Sequence, residues 1–222
     1  MTRILAEPLT RVALFPLSVV LFPQGVLPLR VFEARYMDMV RDCMRDGIAF
    51  GVCLANDAKG ASTALDTAEV GCLARITAWD MQQLGLLQIR TVGGERFRLL
   101  ASETQPNGLL IGEIDMIEGD DDQPVPAEHR PCVDLLTRII EDMSAQMAEK
   151  RRTGEAADDN PVLAQLPFEL PYEMESSTWV SNRLCEVLPV PLKAKQKLME
   201  LTDAATRLEI VHTYLKQHSV LR

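Results

Sequence analysis

Histidines, carboxylates and cysteines are the residues through which this chain can do chemistry. The histidines are His129, His212 and His218. None stands in an HExxH motif or at another ligand-pair spacing. Each is therefore expected on a surface or in a helix contact, and no metal is expected. Glu113 and Asp115 are two residues apart in the alternating segment LLIGEIDMI, so they share one face of a strand. Paired carboxylates can exchange protons, but a solvated strand face is the simpler account of them. The five cysteines, Cys43, Cys53, Cys72, Cys132 and Cys185, are widely spaced and form no CxxC, which suits buried reduced thiols. A phosphate-binding loop needs a glycine-rich turn closed by Gly-Lys, and no Gly-Lys pair exists in the sequence. There is no GxSxG elbow either, and no defensible Ser/His/Asp order. The expectation is a protein without catalytic residues and without a cofactor, and so not an enzyme.

The elements that would position a binding site begin with Leu21 to Tyr36, LFPQGVLPLRVFEARY. Pro23 and Pro28 belong at strand ends or edges, because proline fixes φ and removes a ladder donor. After Val31 the pattern changes to helical spacing, from Tyr36 into Met37, Met39 and Val40, with Tyr36, Val40 and Cys43 or Met44 expected on the buried side. The stretch predicts a strand, a proline-fixed bend, a second strand, and a helix starting near Phe32 or Glu33. Glu33 then falls in the first helical turn, where the helix dipole favours negative charge. Glu33, Arg35 and Tyr36 have two readings. They form part of a binding surface, or Arg35 takes a carboxylate partner and fixes the helix on the sheet. Arg75 and Arg96 are expected to be paired in the same structural way. Phe32 and Phe97 are expected in the core.

Strands are predicted at Arg11–Phe15, Ile48–Ala55, Val70–Trp79, Leu86–Val92, Arg96–Leu100 and Leu109–Ile117, and Val19–Phe22 reads as a strand or an extended segment. Asp80–Gly85 is read as a turn and Gly93-Gly94 as a break. Helices are predicted at Glu33–Arg45, from Pro131 to the Glu149–Arg152 run, at Glu173–Leu188, at Leu192–Leu201 and at Asp203–Lys216. The composition changes at Glu118–Pro126, EGDDDQPVP. The organisation expected is a β-rich part, residues 1–118, an acidic linker, 119–130, and an all-helical part, 131–222.

Charge is not spread evenly along the chain. Residues 1–112 hold 11 basic and 11 acidic side chains, and residues 113–222 hold 12 and 21, which gives the whole net charge of −9. That balance disfavours nucleic acid, whose nonspecific binding rests on phosphate neutralisation. No apolar run is long enough for a membrane span, and the opening MTRILAEPLTR lacks a secretory apolar core. The expected location is the cytoplasm.

Several motifs together resemble the Lon amino-terminal domain, also called the Lon substrate-binding domain. They are Phe15-Pro16-Leu17, Leu21-Phe22-Pro23, Leu27-Pro28-Leu29 and Phe32-Glu33-Ala34-Arg35-Tyr36. Further on, Val70-Gly71-Cys72-Leu73-Ala74-Arg75-Ile76, Gly93-Gly94-Glu95-Arg96-Phe97 and the Leu188–Glu200 run are similar to family segments. The chain resembles a stand-alone member. The resemblance implies an α+β fold, with a PUA-like pseudo-barrel followed by a helical bundle. It also implies recognition of unfolded or apolar polypeptide segments, or of a partner protein. ATP hydrolysis and proteolysis are not carried over, since their motifs are missing. The candidate binding residues are Val26, Leu27 and Leu29 around Pro28, rimmed by Glu33 and Arg35. Pro23, Pro28, Phe32, Tyr36, Gly71, Arg75, Arg96 and Phe97 are the candidate structural motif. RNA binding by a PUA-like module is the alternative, and the neutral, aromatic-poor strand half speaks against it.

Overall fold

The computed structural model describes residues 10–55, 67–153 and 166–221. Six strands, β1 (Thr10–Leu17), β2 (Val26–Val31), β3 (Phe50–Leu54), β4 (Val70–Gln83), β5 (Leu86–Thr104) and β6 (Leu110–Met116), lie in one sheet. Its order is β2-β5-β4-β3-β1-β6, and β5 also pairs with β6. The sheet therefore closes on itself through β5, β4, β3, β1 and β6, leaving β2 outside the ring on the first half of β5. Closure protects most strand edges. Among the described strands only β1 and β3 run parallel, and helix α1 (Ala34–Asp46) lies in the connection between them.

Helix α1 buries Tyr36, Met39, Val40 and Cys43, the three- and four-residue stripe of an amphipathic helix. It ends at Gly47, whose φ of 66° places it in the left-handed region that glycine adopts without strain. The other helices follow β6. They are α2 (Arg130–Thr153), α3 (Ser177–Val187), α4 (Leu192–Glu200) and α5 (Ala204–Gln217). The Ser176 hydroxyl accepts from the Trp179 N–H and Asp203 accepts from Ala205 and Thr206, so α3 and α5 begin on side-chain caps.

Buried apolar side chains form three groups. One lies under α1 and includes Phe15, Val31, Phe50, Cys72 and Ile89. A smaller one gathers Leu14, Cys53, Phe97 and Ile114. The largest joins Val20, Phe22, Leu54 and Val70 of the strand half to Leu136, Trp179, Leu184 and Leu208 of the helices.

Several sequence expectations are corrected. Gly93-Gly94 does not break the strand, since β5 runs through it. A Cβ on Gly93 would stand 2.1 Å from the Phe22 carbonyl oxygen. The Gly93 N–H donates to Gly25 and its carbonyl accepts from Gln24, both at 2.8 Å. The glycine serves close backbone approach rather than a turn. Likewise β4 continues to Gln83, and the turn is only Leu84-Gly85. Of the two readings of Val19–Phe22, a strand or an extended segment, the structure has no strand there, and Val20, Leu21 and Phe22 are buried. Helix α3 starts at Ser177, because Glu173–Ser176 is occupied by turns and a bridge to Pro124. Of the segment Thr153–Pro171, residues 154–165 lie outside the described residues.

Candidate functional site

The opening corner is built on an edge strand. β2 has only β5 beside it, with Leu27 opposite Thr91 and Leu29 opposite Ile89. Pro28 thus sits where a missing N–H interrupts no second ladder. Leu27 and Leu29 are partly buried against the core under α1, and Val26 is also half-buried. Phe32 departs from its expected place in the core and is 69% exposed, because the chain leaves the sheet there to enter α1. Glu33 is the residue before the helix and makes no side-chain cap. Its carboxylate instead pairs with Arg35 at 2.8 Å. Arg35 also donates to the Gly108 carbonyl at 2.8 Å and stacks 4.7 Å from the Tyr36 ring, which stacks in turn on Phe15. Arg35 thereby ties the start of α1 to the β5–β6 turn. Burial pushes the Tyr36 hydroxyl above its usual range.

A three-stranded arm extends from this corner. The β3–β4 ladder covers only Cys72–Ala74 of β4, so among the described residues the strand beyond Ala74 has β5 on one side and no strand on the other. Ile89 stands between Leu29 on β2 and Trp79 on β4, which places the three on one face of the arm. Trp79 is 57% exposed, Met81 40% and the hairpin-tip Leu84 96%. Phe32 follows Val31, which pairs with Leu87, so it lies at the same end of the arm as this hairpin.

Arg96 and Arg75 part company. Arg96 is buried and donates to the carbonyls of Met199, Leu201 and Glu118 and to the Asp120 carboxylate. Arg207 of α5 grips the same carboxylate and also donates to Asn182, Leu198 and Leu201. The side chain of Asp120 is buried, although the sequence places it in an acidic linker. One carboxylate between two guanidiniums satisfies charges that would be costly to bury alone, and carbonyls take up the remaining N–H groups. Arg183 adds a second link by donating to the Pro23 carbonyl and to Glu186. Arg75, by contrast, is exposed and has no carboxylate at ion-pair distance among the described residues. Gly71 has a steric reason to be glycine, since a Cβ there would meet the Phe97 ring at 2.4 Å and the Val52 carbonyl at 2.6 Å.

The residues singled out for chemistry lie apart from this corner. Glu113 and Asp115 stand opposite Arg11 and Arg98 on neighbouring strands, as on a solvated charged face. All five cysteines are free and buried. Burial pushes their thiols up, to about 11 for Cys43 and Cys132 and about 12 for Cys53 and Cys185, away from the nucleophilic thiolate. An apolar groove of about 570 Å3 lies within the helical half, lined by Leu188, Val190, Pro191, Leu198, Val211 and Tyr214. His129 and His212 meet, although 83 positions separate them. Sequence reading missed that pair. The Glu209-x-x-His212 spacing on one helix was the available signal.

A partly closed strand ring, locked to a helical half by a buried ion-pair network and bearing an apolar arm, defines a mixed α+β domain. The sequence model of the ATP-dependent protease La (LON) substrate-binding domain matches residues 11–217. The chain belongs to that family. Among solved structures, it is similar to a Lon N-terminal domain protein from Xanthomonas campestris, at 32% identity and a TM-score of 0.70. That match covers 92% of this chain and 98% of the other. The N-terminal domain of a Mycobacterium avium complex Lon protease shares the fold at 13% identity and a TM-score of 0.56, over 94% of this chain and all of its own length.

Proposed function

We propose that this protein is a non-enzymatic polypeptide-recognition module that takes extended apolar segments on the β2-β5-β4 arm. The observation that carries the reading is the arm itself. Its outer strand β4 has, among the described residues, an edge without a neighbouring strand beyond Ala74, and Phe32, Trp79, Met81 and Leu84 stand exposed near its end. A strand edge supplies backbone hydrogen bonds to a chain of any sequence, and apolar side chains beside it supply the preference for unfolded segments. Family membership supports recognition of polypeptide over other ligands. The opening corner is the opposite margin of the same arm. There Val26, Leu27 and Leu29 hold the backbone edge of β2, blunted by Pro28, and Glu33 and Arg35 form a polar rim.

Two substitutions test the reading. Fluorescence anisotropy of a reduced, carboxymethylated and labelled test protein reports binding, and thermal unfolding reports the fold. The double variant Trp79→Ser, Leu84→Ser is expected to lose binding at an unchanged Tm, since both side chains face solvent. Unchanged affinity in that variant rejects the arm as the site. Leu27→Ser is expected to lower stability by roughly 2–4 kcal/mol, because Leu27 is packed against the core and a hydroxyl there lacks a partner. Lost binding with an unmoved Tm in Leu27→Ser would instead assign the corner to direct contact.

A further inference from the structure

The helical half joins three side chains that the sequence holds far apart. His129 ends the short 3-10 turn Ala127–His129 ahead of α2. Glu209 and His212 lie one turn apart on α5. Both imidazoles are buried, edge to face, with their Nδ1 atoms 3.0 Å apart. A Glu209 carboxylate oxygen lies 3.1 Å from His129 Nε2. One ligand atom from each of the three residues lies within 4.8 Å of the other two.

Two imidazole nitrogens at this separation need something positive between their lone pairs, either a proton or a metal ion. Without metal it is a proton. The Glu209 carboxylate accepts from His129 Nε2–H, which makes His129 Nδ1 the acceptor and His212 Nδ1–H the donor. That tautomer leaves His212 Nε2 as a lone pair, and this atom is buried without a hydrogen-bond partner. The buried pair is thus only half satisfied by its proton.

We propose that His129, His212 and Glu209 form a site for a divalent cation of the zinc class. The ion is held by the two Nδ1 atoms and a Glu209 carboxylate oxygen, with water as the fourth ligand. Tetrahedral zinc with bonds of about 2.0–2.1 Å to nitrogen sets its imidazole ligands about 3.3 Å apart, close to the separation found. Imidazole donors select zinc over magnesium or calcium. The Glu209 side chain is largely exposed, and turning to the ion exchanges its contacts with His129 Nε2 and the Thr213 hydroxyl for the metal. His212 then holds its proton on Nε2, which has no protein acceptor and must donate to water. Among the groups whose fields reach His212, Lys216 and His129 oppose positive charge there, while Glu209 and Glu128 favour it. The bound ion clips the turn before α2 to α5.

The test uses untagged, fully reduced full-length protein. Isothermal titration with zinc chloride is expected to show one ion per chain and a raised Tm, with no response to magnesium chloride. Nitrogen NMR is expected to show both Nδ1 atoms unprotonated in the zinc form. Glu209→Gln, on an exposed side chain, should keep the metal-free Tm and lose about tenfold or more in affinity. His212→Gln should abolish binding, and if that buried variant fails to fold, Glu209→Gln decides. Cobalt substitution should give tetrahedral ligand-field bands without thiolate-to-cobalt charge transfer. No zinc-dependent stabilisation, full affinity in Glu209→Gln, or a thiolate band from a cysteine site would each overturn the proposal.

Discussion

Asp120 shows how a single residue can join two halves of a chain. Its carboxylate lies between Arg96 of β5 and Arg207 of α5, and all three side chains are buried. Removing one partner from a buried ion pair costs far more than the pair contributes, because an uncompensated charge remains in low dielectric. Asp120→Asn is expected to destabilise the fold by about 3–5 kcal/mol, read as a lowered urea midpoint. Glu103→Gln is the comparison. Its partner Arg11 is exposed like itself, and surface pairs contribute little after screening by water and salt. An equal effect of the two substitutions would show that Asp120 is not the link inferred here.

At the scale of the element, β5 is the strand on which the rest is arranged. Its first half pairs with β2 and β4, and its second half with β4 and β6. It passes the bend Pro23–Gly25 closely enough that one glycine is obligatory and the next is not. A Cβ on Gly93 would collide with backbone at 2.1 Å, whereas on Gly94 the nearest atoms lie at an ordinary 3.7 Å. Gly93→Ala is expected to cost roughly 1–3 kcal/mol through forced backbone shifts. Gly94→Ala should be near neutral in the same chemical denaturation measurement. Equal costs would mean that strand flexibility, and not this approach, explains the glycines.

The whole molecule is a strand half joined to a helical half, and both are acidic: residues 1–118 hold 11 basic and 14 acidic side chains, and residues 131–222 hold the same numbers. Its largest apolar group spans both, so neither half would keep its core intact without the other. The charge distribution bears on partners. Nucleic-acid affinity comes mainly from basic groups that displace counterions from phosphates. Binding of single-stranded RNA at physiological salt is accordingly expected to be weak, with a shallow salt dependence, in filter-binding assays. Submicromolar affinity with a steep salt slope would favour the RNA reading over polypeptide recognition.

The sequence by itself determined what local periodicity and chemistry can encode. The apolar stripe of α1, the proline in an edge strand and the order of strand half before helical half were all legible. So were the motifs that mark the family. Tertiary structure decided the rest, because a periodic pattern says which face is apolar but not what covers it. Phe32 reads as core by type, yet it is exposed where the chain turns out of β2. Asp120 reads as solvated linker, yet two arginines from distant elements enclose it. Gly93 reads as a break, yet it admits a neighbouring backbone inside an unbroken strand. His129 and His212 show no ligand spacing along the chain, and only the packing of α5 beside the turn before α2 sets their nitrogens 3.0 Å apart.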